Sequence, residues 1–316
     1  MRVPVAAGSL AVILITGASL ASAQEVVGRR LFSDQIVISE PFVEDELSLP
    51  SLLHIRRPVI GGQRHAVATS VGAALKKRLT PDLEASFGGG FTFLDRDGAS
   101  SIAGLDNPDI GLKYQLLRSP AREAVASVAV DWEIGGAGRA ATGAEAFDTI
   151  NPAVLVGKGF GDLPEAFSLF KPLAVSGSFG ARIPTRASTR TTSGNEVTVE
   201  HHPDMLTWGV VIECSLLYLQ SYVRDLGLPA PLDRMIPIAE LDFQTALDRN
   251  AAGTTVGTAN VGVIWVGETF KLEWRPSSPQ TIDRARTSAF ARSSGSGSTR
   301  FSVDASGARS SGRSER

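Results

Sequence analysis

Segments in which apolar and polar residues alternate strictly constrain the fold of this chain more than any other feature of its sequence. In "DIGLKYQLL", Ile110, Leu112 and Tyr114 share one side of the alternation, and Lys113 and Gln115 share the other. This period of two indicates β-strands whose faces meet different environments, because successive side chains of a strand point to opposite faces. The ranges predicted as strands are 46–57, 67–79, 83–95, 109–117, 124–134, 151–160, 173–183, 206–218, 235–247 and 255–266.

The length and spacing of these strands favour a membrane β-barrel over a soluble sandwich, which also alternates. Strands of about ten residues or more are long enough to cross a bilayer at a tilt. Tight connections at Thr80 and Ser119 alternate with longer ones such as that after Asp95, which is the plan of an outer-membrane barrel. About ten strands also give the even number that such barrels require. The sequence therefore predicts an all-β fold, an antiparallel up-and-down transmembrane β-barrel.

Charged residues in the middle of the predicted strands lie on the polar face, where they would line the lumen of a barrel. Two interpretations of these charges remain open: a network of ion pairs that fills a narrow lumen, or a ring that selects solutes along a pore. The predicted lumen-facing residues are Lys113, Asp131, Glu133, Arg182, Glu213, Glu240 and Asp242. The aromatic residues predicted on the opposite, lipid-facing side are Tyr114, Trp132, Trp208 and Tyr218.

The first residues have the layout of a secretory signal peptide. Arg2 precedes an apolar run that is too short for a membrane-spanning helix, and small residues end at Ala23, after which cleavage is expected. The predicted organisation is a signal peptide at 1–23, a periplasmic segment at 24–45 and a barrel at 46–270. A signal peptide followed by a β-barrel implies the outer membrane of a Gram-negative cell, with outer-membrane lipid as a partner. The net charge of −2 gives no reason to expect nucleic acid.

Three motifs suggest sites of other kinds, and each has a simpler explanation. The glycines of "GKGFGD" lack the βαβ context of a phosphate-binding loop and fit tight strand ends instead. "EHHPD", with His201 and His202, contains metal-capable side chains but is more typical of an exposed polar loop. His54 and His65 flank a predicted outer loop where a hydrolase would have its site, although no nucleophile elbow of the G-x-S-x-G type occurs. We therefore predict no enzyme activity, no cofactor and no metal site.

Six segments carry a resemblance to known proteins: "SEPFVEDELSLPSLLHIRRP", "LKYQLL", "DWEIGG", "GKGFGDLP", "IPTRASTR" and "DLGLPAPLDRMIP". They resemble an uncharacterised family of proteobacterial outer-membrane β-barrel proteins, which is grouped with transporters of the phenol-degradation MetA-pathway type. The resemblance covers roughly residues 39–270. It implies an outer-membrane barrel, passage of a hydrophobic or aromatic small molecule, and a final strand that ends in an aromatic residue.

The C-terminal segment 271–316 departs from the rest of the chain, because Ser, Gly and Arg replace the alternation. Its composition predicts disorder. A shifted reading frame explains the change: read from the third base of the Leu272 codon, permissible codons give the alternating peptide Gly-Val-Glu-Ala-Val-Ile-Pro. A second shifted strand can be read from Thr287 onward, and together they would raise the strand count from about ten to about twelve, which is again even. We therefore interpret this segment as out of frame.

The predicted function is that of a channel or transporter for small molecules. Two alternatives remain open: a structural barrel with a plugged lumen, and an outer-membrane hydrolase with a site at its rim. The solute, the oligomeric state and the openness of the lumen do not follow from the sequence.

Overall fold

The computed structural model describes residues 26–32, 38–57, 66–96, 98, 100–193, 196–267, 271–274 and 280–281. These residues form an all-β protein that is dominated by one large antiparallel sheet. The fold class predicted from the alternation is confirmed, because the sheet runs up and down and curls into a half-barrel of ten strands. The predicted signal peptide at 1–23 lies outside the described residues, as does most of the segment 271–316.

Each strand of the half-barrel pairs with the next one along the chain. The strands are β1 (Glu46–Arg57), β2 (Ala66–Thr80), β3 (Leu83–Arg96), β4 (Asp109–Ser119), β5 (Ala124–Glu133), β6 (Thr149–Gly159), β7 (Leu173–Pro184), β8 (Met205–Cys214), β9 (Met235–Ala246) and β10 (Thr255–Val266). The predicted and observed strands coincide closely except at the end of β8.

The connections between strands alternate between two ends of the sheet, because consecutive strands are antiparallel. One end, called the turn end, carries 81–82, 120–123, 160–172 and 215–234. The other end, called the loop end, carries 97–108, 134–148, 185–204 and 247–254. The first two connections of the turn end are tight, as predicted, whereas its last two are as long as the loops at the opposite end.

Shorter strands and helical segments accompany the ten strands. The short strands are Val26–Val27 paired with Arg30–Leu31, Ile102–Leu105 paired with β3, Ser188–Ser193 paired with Glu196–His201, and Lys271–Trp274 and Gln280–Thr281, both paired with β10. The helical segments are Pro120–Arg122, Ala140–Thr142, Glu165–Phe170, Leu216–Tyr218, Leu219–Val223, Leu232–Arg234 and Arg249–Ala251. Of the segment 271–316, the structure describes only Lys271–Trp274 and Gln280–Thr281.

Strand β8 ends at Cys214, earlier than the alternation predicts. Ser215 follows it and caps a helical turn, because its Oγ accepts a hydrogen bond from the backbone N–H of Tyr218 at 3.1 Å. The chain thus leaves the sheet before it reaches Tyr218, whose side chain is buried. The predicted lipid-facing position of Tyr218 is wrong for this reason.

Pro50 lies within β1, where a proline has no N–H to give to a neighbouring strand. The register between β1 and β2 shifts between Ser48 and Ser51, so that the proline falls in a bulge. Within the described residues, β1 pairs with β2 alone and forms one edge of the sheet. A bulged edge strand is the setting in which a sheet tolerates proline.

The two faces of the sheet differ as the alternation predicts, and the exposed face is the apolar one. In β4, Leu112 and Tyr114 are each 48 % exposed, whereas Lys113 and Gln115 are 6 % and 7 % exposed. Exposed apolar side chains elsewhere on the convex face include Phe87, Val130, Trp132, Val156, Phe179, Ile212 and Val261. Buried polar side chains of the concave face include Lys76, Glu84, Ser127, Thr149, Ser176, Glu213 and Glu240. This polarity is the reverse of that of a soluble sandwich.

We expect the two glycines Gly180 and Gly89 to respond oppositely to a methyl group. A Cβ at Gly180 in β7 would lie 2.5 Å from the carbonyl oxygen of Pro152, whereas a Cβ at Gly89 in β3 meets nothing within 4 Å. Gly180→Ala should therefore lower the free energy of unfolding by about 1–3 kcal/mol, the usual cost of overpacking. Gly89→Ala should change it by no more than about 0.5 kcal/mol. Urea unfolding in detergent measures both, and equal effects would show that β6 and β7 are not packed in this register.

Candidate functional site

The concave face of the half-barrel is covered by the residues that precede β1. These residues, 26–32 and 38–45, are called the strap. Ile38 of the strap packs in an apolar cluster with Val211 of β8, Ile236 of β9 and Ile264 of β10. The side chains of a second cluster are Val27, Phe32 and Phe42 of the strap with Val125 of β5 and Ala174 of β7. The strap therefore crosses the interior from the C-terminal strands toward the N-terminal ones.

Charged side chains fix the strap to the N-terminal strands. Glu40 is bound by Lys76 of β2 and by Lys113 of β4, whose Nζ lies 3.1 Å from Glu40 Oε1. Lys76 Nζ also lies 2.6 Å from Glu44 Oε1. The backbone N–H of Glu44 donates to Glu84 Oε2 of β3 at 2.8 Å. The three charged side chains of the strands that meet the strap here, Lys76, Glu84 and Lys113, are buried, as are Glu40 and Glu44. These five groups therefore need one another as partners.

Glu40 is ionised in this cluster at neutral pH. Burial by itself would raise the pKa of the Glu40 carboxyl, but the ammonium groups of Lys113 and Lys76 more than offset this effect and place the pKa at about 2. The strap thus carries a permanent negative charge into the interior. Without that charge, two lysines would face each other across the concave face with fewer counter-ions.

Arg30 forms a second attachment, at the turn end. Its guanidinium donates to the carbonyl oxygens of Pro172 at 2.7 Å and Leu173 at 3.0 Å, and also to that of Lys171. Nε lies 3.5 Å from Glu123 Oε2, and the guanidinium carbon lies 4.4 Å from the centre of the Tyr218 ring. Three carbonyls, a carboxylate and an aromatic face match the donors and the flat cation of an arginine.

Glu123 is held in place by groups of the turn end other than Arg30. Its Oε1 accepts a hydrogen bond from the Tyr218 hydroxyl at 3.1 Å, and its Oε2 accepts one from the backbone N–H of Gly161 at 2.9 Å. Burial and the neighbouring Glu123 carboxylate raise the pKa of Tyr218 to about 12, which keeps the phenol protonated as a donor. The pocket for Arg30 is therefore preorganised by the connections 120–123, 160–172 and 215–234.

The structure distributes the seven predicted lumen residues over separate places. Lys113 contacts Glu40, and Glu240 Oε1 accepts a hydrogen bond from the backbone N–H of Ile38 at 2.7 Å, so both contact the strap. Glu133 Oε2 lies 3.6 Å from Nη2 of Arg182, and Glu133 Oε1 accepts a hydrogen bond from Nδ2 of Asn107 at 3.1 Å.

The remaining three members of this set are acidic. Glu213 is buried in β8. Asp131 and Asp242 are partly exposed and form no ion pair with any described residue. Of the seven residues, two therefore contact the strap and two pair with each other near the loop end.

The histidines singled out in the sequence do not converge. His54 lies in β1, and His65 lies outside the described residues. His202 packs against Phe147 with ring centres 4.2 Å apart and ring planes tilted by 42°, and its Nε2 lies 2.9 Å from Thr189 Oγ1. His201 ends the exposed strand Glu196–His201. In the part of the chain that the structure describes, no three metal-capable side chains are placed to hold a metal ion.

Sequence reasoning missed the strap and its partners. Lys76 and Glu84 lie on the same polar face as Lys113, so the alternation could have added them. Arg30, Glu40 and Glu44 carry no comparable signal, because they precede the strands and show no period. Their positions depend on contacts with residues far along the chain, such as that between Arg30 and Glu123.

The chain matches no protein-family model and no curated protein. No helix in the described ranges combines the length and the apolar character that a membrane span requires. The arrangement of the strap and the concave face is therefore the main guide to function.

We expect Arg30 and its neighbour Arg29 to differ sharply in importance. Arg30→Ala removes a buried partner of Glu123 and the donors to three carbonyls, so the free energy of unfolding should fall by about 3 kcal/mol. Arg29 is exposed and lies 5.4 Å above the Tyr222 ring, so Arg29→Ala should cost less than about 1 kcal/mol. Urea titration of both variants in detergent measures the difference. Equal losses would contradict the attachment of the strap through Arg30.

Proposed function

We propose that this chain is an outer-membrane β-barrel that passes small molecules and that its lumen is closed at rest by the strap. One observation carries the proposal: the sheet is apolar on its convex face, while its polar concave face is filled by a segment of the same chain. The first half of this observation supports a lipid environment. The second half supports an interior whose access is controlled.

The convex face supports a membrane location because water is a poor solvent for it. Soluble proteins rarely expose contiguous apolar patches larger than a few hundred Å². Here Leu112, Tyr114, Val130 and Trp132, all from the adjacent strands β4 and β5, are at least 40 % exposed. Hydrocarbon chains of a bilayer would cover such a surface, and between the two edges of the sheet the antiparallel strands satisfy one another's backbone groups. The signal-like N-terminus supports export to the outer membrane.

The polar concave face supports a channel for small molecules. Inward charges and hydroxyls are typical of barrels whose lumen holds water or solute. The resemblance to transporters of the phenol-degradation MetA-pathway type supports a small hydrophobic or aromatic solute. The strap gives equal reason to consider a structural barrel that is plugged permanently. Solute passage separates the two functions.

A charge on the convex face should prevent membrane insertion. Leu112 in β4 and Leu226 in the connection 215–234 are both 48 % exposed, so they form a matched pair. Leu112→Arg places a cation where lipid is proposed and should lower stability in the membrane by about 2–4 kcal/mol. Leu226→Arg should insert like the unaltered protein. Recovery in outer-membrane fractions measures this, and equal recovery would remove the support for a lipid-facing sheet.

Removal of the strap should open a path for solute. Liposomes that contain protein lacking residues 26–45 should swell in an isotonic pentose faster than protein-free liposomes, because the concave face is then filled by water. Liposomes with the full chain should swell little. Strand content measured by circular dichroism provides the control for folding. A folded, strapless protein that causes no swelling would contradict a lumen that the strap closes.

A further inference from the structure

We infer that the strap is a gate: it leaves the interior while the ten strands of the half-barrel, called the wall, stay folded. This inference rests on the proposed channel function and concerns how that channel is regulated. Four features of the strap and the wall carry it.

The strap is placed where it blocks passage. The backbone N–H of Ile38 donates to Glu240 in β9 at 2.7 Å, and only two residues later Glu40 is bound by Lys76 in β2. Strands β9 and β2 lie toward opposite edges of the curled sheet. A segment that contacts both of them within two residues spans the interior, so solute cannot pass while it is docked.

The strap is attached without joining the sheet. Within the described residues, the segment 38–45 has no ladder partner among the ten strands and no backbone–backbone hydrogen bond to them. Its polar contacts with the wall run through side chains, as those of Glu40 with Lys113 and of Ser127 Oγ with the Pro41 carbonyl do. Undocking therefore breaks no strand ladder, and the wall keeps its backbone pairing.

The wall keeps counter-ions of its own when the strap leaves. Lys113 Nζ lies 3.2 Å from Glu84 Oε1, and Lys76 Nζ lies 3.3 Å from Glu46 Oε2. Each lysine that binds the strap thus also lies beside a carboxyl group from a strand. Unpaired buried charges are the main penalty for breaking an ion-pair network, and these neighbouring carboxyl groups reduce that penalty.

The pocket for Arg30 has the same property. Glu123 keeps the Tyr218 hydroxyl at 3.1 Å and the Gly161 N–H at 2.9 Å when the guanidinium departs. The carbonyls of Lys171 and Leu173 lie at the turn end, where water can replace the arginine. The apolar clusters around Phe32 and Ile38 favour the docked state. The gate is therefore closed at rest and has a wall that tolerates its opening.

A reversible crosslink between the strap and β8 tests the gate directly. A Cβ at Gly209 would lie 2.8 Å from Cγ1 of Ile38, which puts cysteines at these two positions within reach of a disulfide. The variant carries Ile38→Cys and Gly209→Cys, with Cys214→Ser to remove the chain's one native cysteine. In planar bilayers, the oxidised protein should stay closed, and addition of reductant should restore openings on the same molecules. Single-cysteine variants control for effects of the substitutions.

A second pair of variants changes the charge of the strap. Glu40→Gln weakens the buried contacts with Lys76 and Lys113, so the open probability should rise by about tenfold or more. Asp45→Asn makes the same change on the strap, but the Asp45–Lys77 pair is largely exposed, so the open probability should stay within about twofold. Both variants are measured as full chains in the same bilayers.

The outcomes separate the gate from the channel. If the protein conducts, but oxidised and reduced crosslink variants conduct alike and Glu40→Gln opens no more than Asp45→Asn, the strap is not a gate and the channel stands. If neither the reduced crosslink variant nor Glu40→Gln nor the unaltered chain ever conducts, while circular dichroism shows intact strands, the channel itself is absent. Closure that is tied to oxidation, together with the excess opening of Glu40→Gln, is the result that the gate predicts.

Discussion

A charged side chain that is buried inside the half-barrel needs a partner there, and the rest of the structure depends on this constraint. Lys76 and Lys113 are nearly closed off from solvent, and a strand sequence that alternates strictly leaves them no other direction to point. The strap supplies their partners, Glu40 and Glu44, which are carboxylates from outside the sheet. An apolar exterior and a charged, filled interior are thus two consequences of one alternation.

The strands could be predicted from the sequence because a period of two is a local signal. The direction of Lys113 could be predicted with them, since it lies between Leu112 and Tyr114. The error at Tyr218 also has a local cause: Ser215 offers a cap to the following backbone N–H, and this hydrogen bond ends the strand even though the apolar pattern continues. Alternation shows which residues are able to form a strand, and capping groups decide where the strand stops.

The strap could not be predicted in this way, because nothing periodic marks it. In the sequence, Glu40 and Arg30 look like ordinary charged residues of a polar segment before the first strand. Only the folded sheet brings buried partners to them. The two interpretations of the inward charges, an ion-pair network and a pore lining, are compatible with each other. In the proposed closed state Lys113 packs against Glu40, and in the proposed open state the same lysine lines the lumen beside Glu84.

The strap contacts residues that lie far away in the sequence, and this separation affects the order of folding. Ile38 and Glu240 are 202 positions apart, and Arg30 and Pro172 are 142 apart. Contacts between residues so distant in sequence form late, because the chain between them must be ordered first. The strap precedes every strand in synthesis, yet it cannot complete its docking until β9 exists. During folding, each molecule therefore passes through a half-barrel that the strap does not yet fill, in which Lys76 lies beside Glu46 and Lys113 lies beside Glu84.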